Sequence, residues 1–169
     1  MKLHCEGLDL SSAILKVIKA ISNKTPNAVL EGIKLTAKGD YLTLLATDTE
    51  LFIEKTIRAE VLEEGEALVQ GKLFNELVKK LEDEQIELSS EENSLKVRYG
   101  DSLGYIQTMN IDDFPKINKN ISENSFTLSQ KDFKDLINMT AFSCSQDDSR
   151  PILKGCKIEV EEGFVKCVA

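Results

Sequence analysis

The sequence predicts an α+β fold of paired βαβββ units, and three observations predict it. Period-2 alternation and helical apolar spacing follow one another in the same order several times along the 169 residues. Residues 3–46 align with 126–169 at an offset of 123 without a gap. The turns between alternating runs carry glycine, asparagine and aspartate where hairpins need them.

The elements follow in order. "KLHCEG" alternates as a short strand, and "LDLSSAILKVIKAIS" puts Leu10, Ile14, Ile18 and Ile21 on one helical face. "EGIKLTA" and "YLTLLAT" alternate around a Lys38-Gly39-Asp40 turn, and "ELFIEKTIRAEV" supplies one further strand. Residues 66–109 repeat the order. "EALVQ" is a strand, and "KLFNELVKKLE" is a helix with Leu73, Phe74, Leu77, Val78 and Leu81 inward. "QIELSS", "SLKVRY" and "LGYIQTM" are strands, with turns at Glu92-Asn93 and Gly100-Asp101.

At the 123-residue offset Leu3, Cys5, Asp9, Leu10, Ile14 and Ser22 fall on Phe126, Leu128, Asp132, Phe133, Ile137 and Ser145. Val29, Leu30, Gly32, Lys34 and Leu35 fall on Ile152, Leu153, Gly155, Lys157 and Ile158. Tyr41, Leu42, Leu44, Leu45 and Ala46 fall on Phe164, Val165, Cys167, Val168 and Ala169. Residues 1–115 are therefore expected to form one domain of two units. Residues 116–124, polar and rich in asparagine, are expected to be a linker, and 125–169 the start of a second domain. The alternation runs unbroken to Ala169, so a fragment of a longer chain is expected. A piece this short buries too little surface for a core of its own.

Apolar content of 41% and charged content of 30% fit a globular chain. No apolar run approaches the about 20 residues of a membrane span, and acids follow the N-terminus too soon for a signal peptide. The four cysteines, Cys5, Cys144, Cys156 and Cys167, show no CxxC spacing and sit in alternating runs, so buried, reduced thiols and a cytoplasmic location are expected.

Catalytic chemistry finds little support. The single histidine, His4, lies inside the first strand. Gly71-Lys72 is not a phosphate loop: Gly65 is one residue too far upstream, and Leu73 stands where a magnesium-binding hydroxyl is required. Asp48 with Glu50 and Asp147 with Asp148 are expected to be turn residues and not cation ligands. Ser143 and Cys144 have no base in sequence reach. No catalytic residue, metal or cofactor is expected.

The net charge of −8 is unevenly spread. Segments 8–24, 72–82 and 130–142 sum to +2, +1 and 0, leaving −11 for the rest. Lys16, Lys19 and Lys24; Lys72, Lys79 and Lys80; and Lys131, Lys134 and Asn138 fall opposite the apolar helix faces. Basic helices on an acidic sheet suit phosphate contact without base readout. Aromatic residues do not interleave with these lysines, which disfavours a single-strand stacking platform. An α+β scaffold module that binds without encircling anything is the alternative.

"FTLSQKDFKDLINMTAFSCSQDDSRPILKG" with Arg150, Leu153 and Gly155 in register, "LTLLATD", and "DDFP" at 112–115 together resemble the bacterial DNA polymerase III beta subunits, the replicative sliding clamps. The resemblance covers essentially the whole chain. It implies a DNA-clamp fold with three such domains per chain, and two chains joined head to tail in a ring whose helices face duplex DNA. The protein would be a non-catalytic processivity factor tethering the replicative polymerase. It implies DNA contact by the basic helices, at Lys16, Lys19, Lys79 and Lys134. The loop tips would add Lys24 and Gln146, with Asp147 a departure that sets a carboxylate there. Arg150 and Leu153 would edge the pocket for short peptide motifs of polymerases and the clamp loader. Lys72, Phe74 and the segment 99–106, with Asp101 and Leu103 where relatives often carry basic residues, would form half of the dimer interface.

Overall fold

The computed structural model describes residues 1–22, 25–81, 85–117 and 125–169. The chain forms two compact units, Met1–Ile117 and Asn118–Ala169. All but Lys116 and Ile117 of the expected linker lies outside the described residues.

In the first unit β1 (Lys2–Glu6) runs directly into α1 (Gly7–Val17). Leu10, Ala13, Ile14 and Val17 recur at helical spacing, and all are buried. Asp9 in the first turn and Lys16 in the last complement the helix dipole. The helix expected to reach residue 22 tightens to a 3-10 turn at Ile18–Ala20, and Ile21 is extended. Its side chain reaches the start of the second helix: a Cβ at Gly71 would stand 2.2 Å from Ile21 Cδ1. That close approach is what glycine 71 serves, in place of a phosphate.

β2 (Gly32–Lys38) and β3 (Tyr41–Thr47) form a hairpin turning at Gly39, whose φ of +57° favours glycine. The single strand expected over 50–61 is two, β4 (Phe52–Arg58) and β5 (Glu60–Glu63), parted at buried Ala59 because β4 pairs with β3 and β5 with β1. Then follow β6 (Gly65–Gln70), α2 (Gly71–Val78), β7 (Gln85–Glu91), β8 (Ser94–Tyr99) and β9 (Ser102–Met109). The strands make one antiparallel sheet in the order β4-β3-β2-β6-β9-β8-β7-β1-β5. Each half thus lends its first strand to the other: β1 pairs with β7, and β6 with β2. β9 does alone what β4 and β5 share, pairing with β8 along most of its length and with β6 at Thr108 and Met109.

Both helices pack against each other and the sheet. Leu3, Leu10, Ile14, Ile33, Leu35, Leu42, Leu44, Phe74, Ile86, Leu88, Leu95 and others fill one continuous core. The opposite side chains of the same strands are polar: Thr43 and Thr56 hydroxyls meet at 3.0 Å, and Thr36 donates to Glu66 at 2.9 Å. The helix expected over 72–82 ends at Val78, and Leu73, expected inward, is half exposed.

In the second unit α3 (Gln130–Asn138) opens with a reciprocal cap. Ser129 Oγ accepts from Asp132 N at 3.0 Å and donates to the Asp132 carboxylate at 2.7 Å. β10 (Lys157–Glu161) and β11 (Phe164–Val168) pair as a hairpin. Its register repeats that of β2 and β3 at the 123-residue offset: Lys34 faces Leu45, and Lys157 faces Val168. Ser22 N donates to Leu30 O, and Ser145 N to Leu153 O, again 123 residues on. The strand that the repeat implies before α3, where Phe126 and Leu128 match Leu3 and Cys5 of β1, is not formed; β1 is held by β5 and β7, and the described residues of the second unit include no counterpart of either. None of those residues is buried. For the same reason Cys144, Cys156 and Cys167, expected in a core, are half-buried, and only Cys5 is buried.

Candidate nucleic-acid interface

Lys16 in α1 and Lys19 just beyond it are both exposed. Lys72 is exposed at the start of α2, while Lys79 and Lys80 stand on the turn after it, not on the helix body. In the second unit Lys131 and Lys134 are exposed on α3. Lys24 lies outside the described residues.

The ion pairs sort the lysines further. Lys2 meets Glu87 at 3.5 Å, Lys34 meets Glu66 at 2.8 Å, and Lys96 meets Glu91 at 3.6 Å. Each is a diagonal cross-strand pair on the polar side of the sheet. Lys157 and Lys166 share Glu159, and Lys154 pairs with Asp148. None of the helix lysines has an acidic partner among the described residues. Strand acids therefore neutralise Lys2, Lys34 and Lys96, but not Lys38 or Lys55, and leave the lysines of the first unit's helical segments unpaired among the described residues. Exposed Leu8 and Leu15 lie beside Lys16 and Lys19 in a shallow groove on α1; the sequence reading, attending to charge alone, missed them.

The loop after α3 has the opposite character. Gln146 is exposed, but Asp147 accepts hydrogen bonds from Ser149 N and Oγ at 2.9 and 2.6 Å, and these hold its carboxyl below the usual range. The hydrogen bond and charge of Lys154 do the same for Asp148. Gln146 thus stands next to two firmly ionised carboxylates. Arg150 and Leu153 come together in one turn, with Leu153 N donating to Arg150 O at 3.0 Å and both side chains exposed. In the first unit Asp48 likewise spends its carboxylate on its own loop, accepting from Glu50 N and Leu51 N at 3.0 and 2.7 Å.

Of the expected interface residues, Lys72, Asp101 and Leu103 are exposed. Phe74 is not: it is fully buried in the core, because the α2 face that meets the sheet carries Phe74 and Val78. The exposed apolar groups in this region are Leu73, Leu103 and Tyr105. Leu103 and Tyr105 share one side of β9, an alternation visible in the sequence, while Gly104 faces Leu77 of α2 at 3.5 Å from its would-be Cβ.

Two βαβββ units exchanging first strands in one antiparallel sheet, with both helices on it, define the class of DNA-clamp domains. The chain belongs to the DNA polymerase III beta subunit family: residues 1–118 match its N-terminal domain and 127–169 its central domain. It is 33% identical over 162 residues to the beta sliding clamp of Halalkalibacterium halodurans, covering 90% of this chain and 43% of that protein. The DNA polymerase III subunit beta of Pseudomonas aeruginosa superposes with a TM-score of 0.93 at 27% identity, over 100% of this chain and 46% of that one. A sliding clamp from the same organism bound to griselimycin matches equally, with a TM-score of 0.93, 27% identity and the same coverage. The chain thus spans under half the length of the relatives it matches.

Proposed function

We propose that this chain is the first domain and part of the second domain of a processivity factor for bacterial chromosomal replication. The whole protein would close head to tail into a homodimeric ring that slides on duplex DNA and tethers the replicative polymerase. The observation that carries this reading is the sorting of charge. Lys2, Lys34 and Lys96 on the sheet are paired with strand acids, whereas Lys16, Lys19 and Lys79 are exposed without an acidic partner among the described residues, as are Lys38 and Lys55 on β2 and β4. A layer of that kind attracts phosphate without reading sequence, as a sliding contact must. DNA contact belongs to this layer more than to the loop of Gln146, whose neighbouring carboxylates repel phosphate. Lys134 is exposed on α3, but the segment 130–142 is neutral overall, so the attraction there is weaker.

Two further features support a ring. Among the described residues β4 pairs only with β3, and β9 leaves one edge open over Ser102–Gln107, so the domain has a free strand edge at either side. Beside β9, Lys72, Leu73, Asp101, Leu103 and Tyr105 supply charged and apolar groups for a neighbouring subunit. Arg150 and Leu153 form one edge of a pocket for short peptide motifs of polymerases and the clamp loader; a related clamp binds griselimycin.

The test is a salt titration of this chain on a labelled duplex, read by fluorescence anisotropy. Three phosphate contacts give a log–log slope of about −3, equal on unrelated sequences. Lys16→Glu and Lys19→Glu should each weaken binding with the circular dichroism unchanged. Salt-insensitive binding, or binding confined to one sequence, refutes the reading.

A further inference from the structure

The second unit carries a thiol cluster that the clamp reading leaves unused. Cys144 follows the 3-10 turn at Ala141–Ser143, and Cys156 directly precedes β10; their sulfurs stand 3.5 Å apart. Cys167 on β11 lies 3.2 Å from Thr140 Oγ1, which is also 3.9 Å from Cys156 Sγ. All three thiols are half-buried. At the 123-residue offset these positions are Ile21, Ile33 and Leu44, all core residues of the first unit. Aliphatic packing positions have thus become sulfur in the second.

We propose that Cys144 and Cys156 form a redox pair that a small-molecule disulfide oxidant of the glutathione class closes into an intramolecular disulfide. The Cys144 thiolate attacks one sulfur of the oxidant, whose S–S bond breaks to release one thiolate. The Cys156 thiolate then attacks the Cys144 sulfur of the mixed disulfide and expels the second. The two protein thiols lose two electrons and two protons, and one oxidant disulfide becomes two thiols. The sulfurs must approach from 3.5 Å to about 2.05 Å, a movement open to half-exposed side chains at a turn and a strand start. The cysteines are 12 positions apart, so the bond ties off Ser145–Gly155 as a loop. That segment carries Gln146, Arg150 and Leu153. Oxidation would therefore stiffen the pocket edge; this consequence rests on the peptide-pocket reading above, whereas the bond itself does not.

Cys5 is an internal control. It is buried, and burial first, then the charges of Glu6 and Asp9, push its thiol up to about 12. It should stay reduced.

The experiment incubates the 169-residue chain with oxidised glutathione, quenches with an alkylating agent and maps the cysteines by peptide mass spectrometry. The expected product links the Cys144 and Cys156 peptides, with Cys5 free of linkage. Cys156→Ser should instead trap a glutathione adduct on Cys144, and Cys167→Ser should leave the link intact. Amide exchange of Ser145–Gly155 should slow by about tenfold on oxidation. Stable mixed disulfides without a link, or a link made chiefly through Cys167, overturn the proposal. Because no peptide ligand enters the assay, a wrongly placed pocket leaves this outcome unaffected.

Discussion

Leu10 in α1 is fully buried, whereas Phe133, its counterpart in α3, is 41% exposed. Leu35 and Ile158 on matching strands contrast in the same way, at 0% and 42%, and so do Val29 and Ile152, at 7% and 86%. From the helix onward, local structure is largely shared. The two hairpins share a register, and the hydrogen bond from Ser22 to Leu30 recurs from Ser145 to Leu153. Short-range sequence therefore suffices to specify helix, turn and hairpin, while burial belongs to the assembled pair of units. The first unit has the second βαβββ half that covers its helix and sheet. In the second unit the same apolar positions, Phe126, Leu128, Leu136, Val160, Phe164 and Val165 among them, line an open cleft of about 390 Å³.

The comparison makes graded predictions. Leu44→Ala should cost about 3 kcal/mol in urea unfolding, because the vacated space is enclosed on all sides. Phe133→Ala, although it removes more carbon, should cost under about 1 kcal/mol, since its ring is already wet. Equal costs would mean that the second unit has a core after all. Next, Ser129→Ala removes the reciprocal cap of α3. It should weaken that helix by about 1 kcal/mol, read as faster amide exchange in Gln130–Asn138 with the first unit unchanged.

A smaller gain is expected from the loop between β3 and β4. Thr49 has φ +85°, a conformation that β-branched residues avoid, and is held there by its N–H to Thr47 Oγ1 at 3.0 Å. Thr49→Gly keeps that backbone bond and relieves the strain. The greater freedom of glycine in the unfolded chain offsets part of the gain, so stabilisation of about 0.5 kcal/mol is expected in the same urea assay.

The smallest effect concerns pH. Partial burial acts to raise the Glu66 carboxyl, but hydrogen bonds from Lys34 and Thr36 and the Lys34 charge outweigh it and lower the pKa below 4.5. A depressed carboxylate stabilises the fold above its unfolded pKa and loses that contribution as pH falls through the folded value. The pair is largely solvated, so stability should decline only slightly below about pH 4.5 on this account. Lys34→Met should flatten that part of the acid profile; an unchanged profile would show that Lys34 does not hold Glu66.

The strands, their turns and the repeat were legible because a period of two and an unbroken offset survive substitution of one apolar residue for another. Where the reading went astray, a nonlocal contact decided. In "KLFNELVKKL" the apolar residues form one continuous arc of about 140° with Leu73 at its edge, and how much of that arc is covered was settled by the sheet, which took Phe74 and left Leu73 out. The parting of β4 from β5 at Ala59 leaves no local mark, since the residues on either side alternate alike and only their partners differ. The basic helices were legible from spacing. That Lys34 would be neutralised was not, because Lys34 and Glu66 meet only through the register of β2 on β6. The three cysteines of the second unit alternate like core residues, and no local pattern reports that the described residues of that unit leave them only half-buried.

The central claim, one local code with burial in only one of its two copies, is tested most directly by native-state hydrogen exchange on matched amides. Leu35 and Leu44 in the first hairpin should exchange at least about a hundredfold more slowly than Ile158 and Cys167 in the second, since only the first requires a cooperative opening of the core. Equal protection of the two hairpins in a dilute monomer would contradict the account.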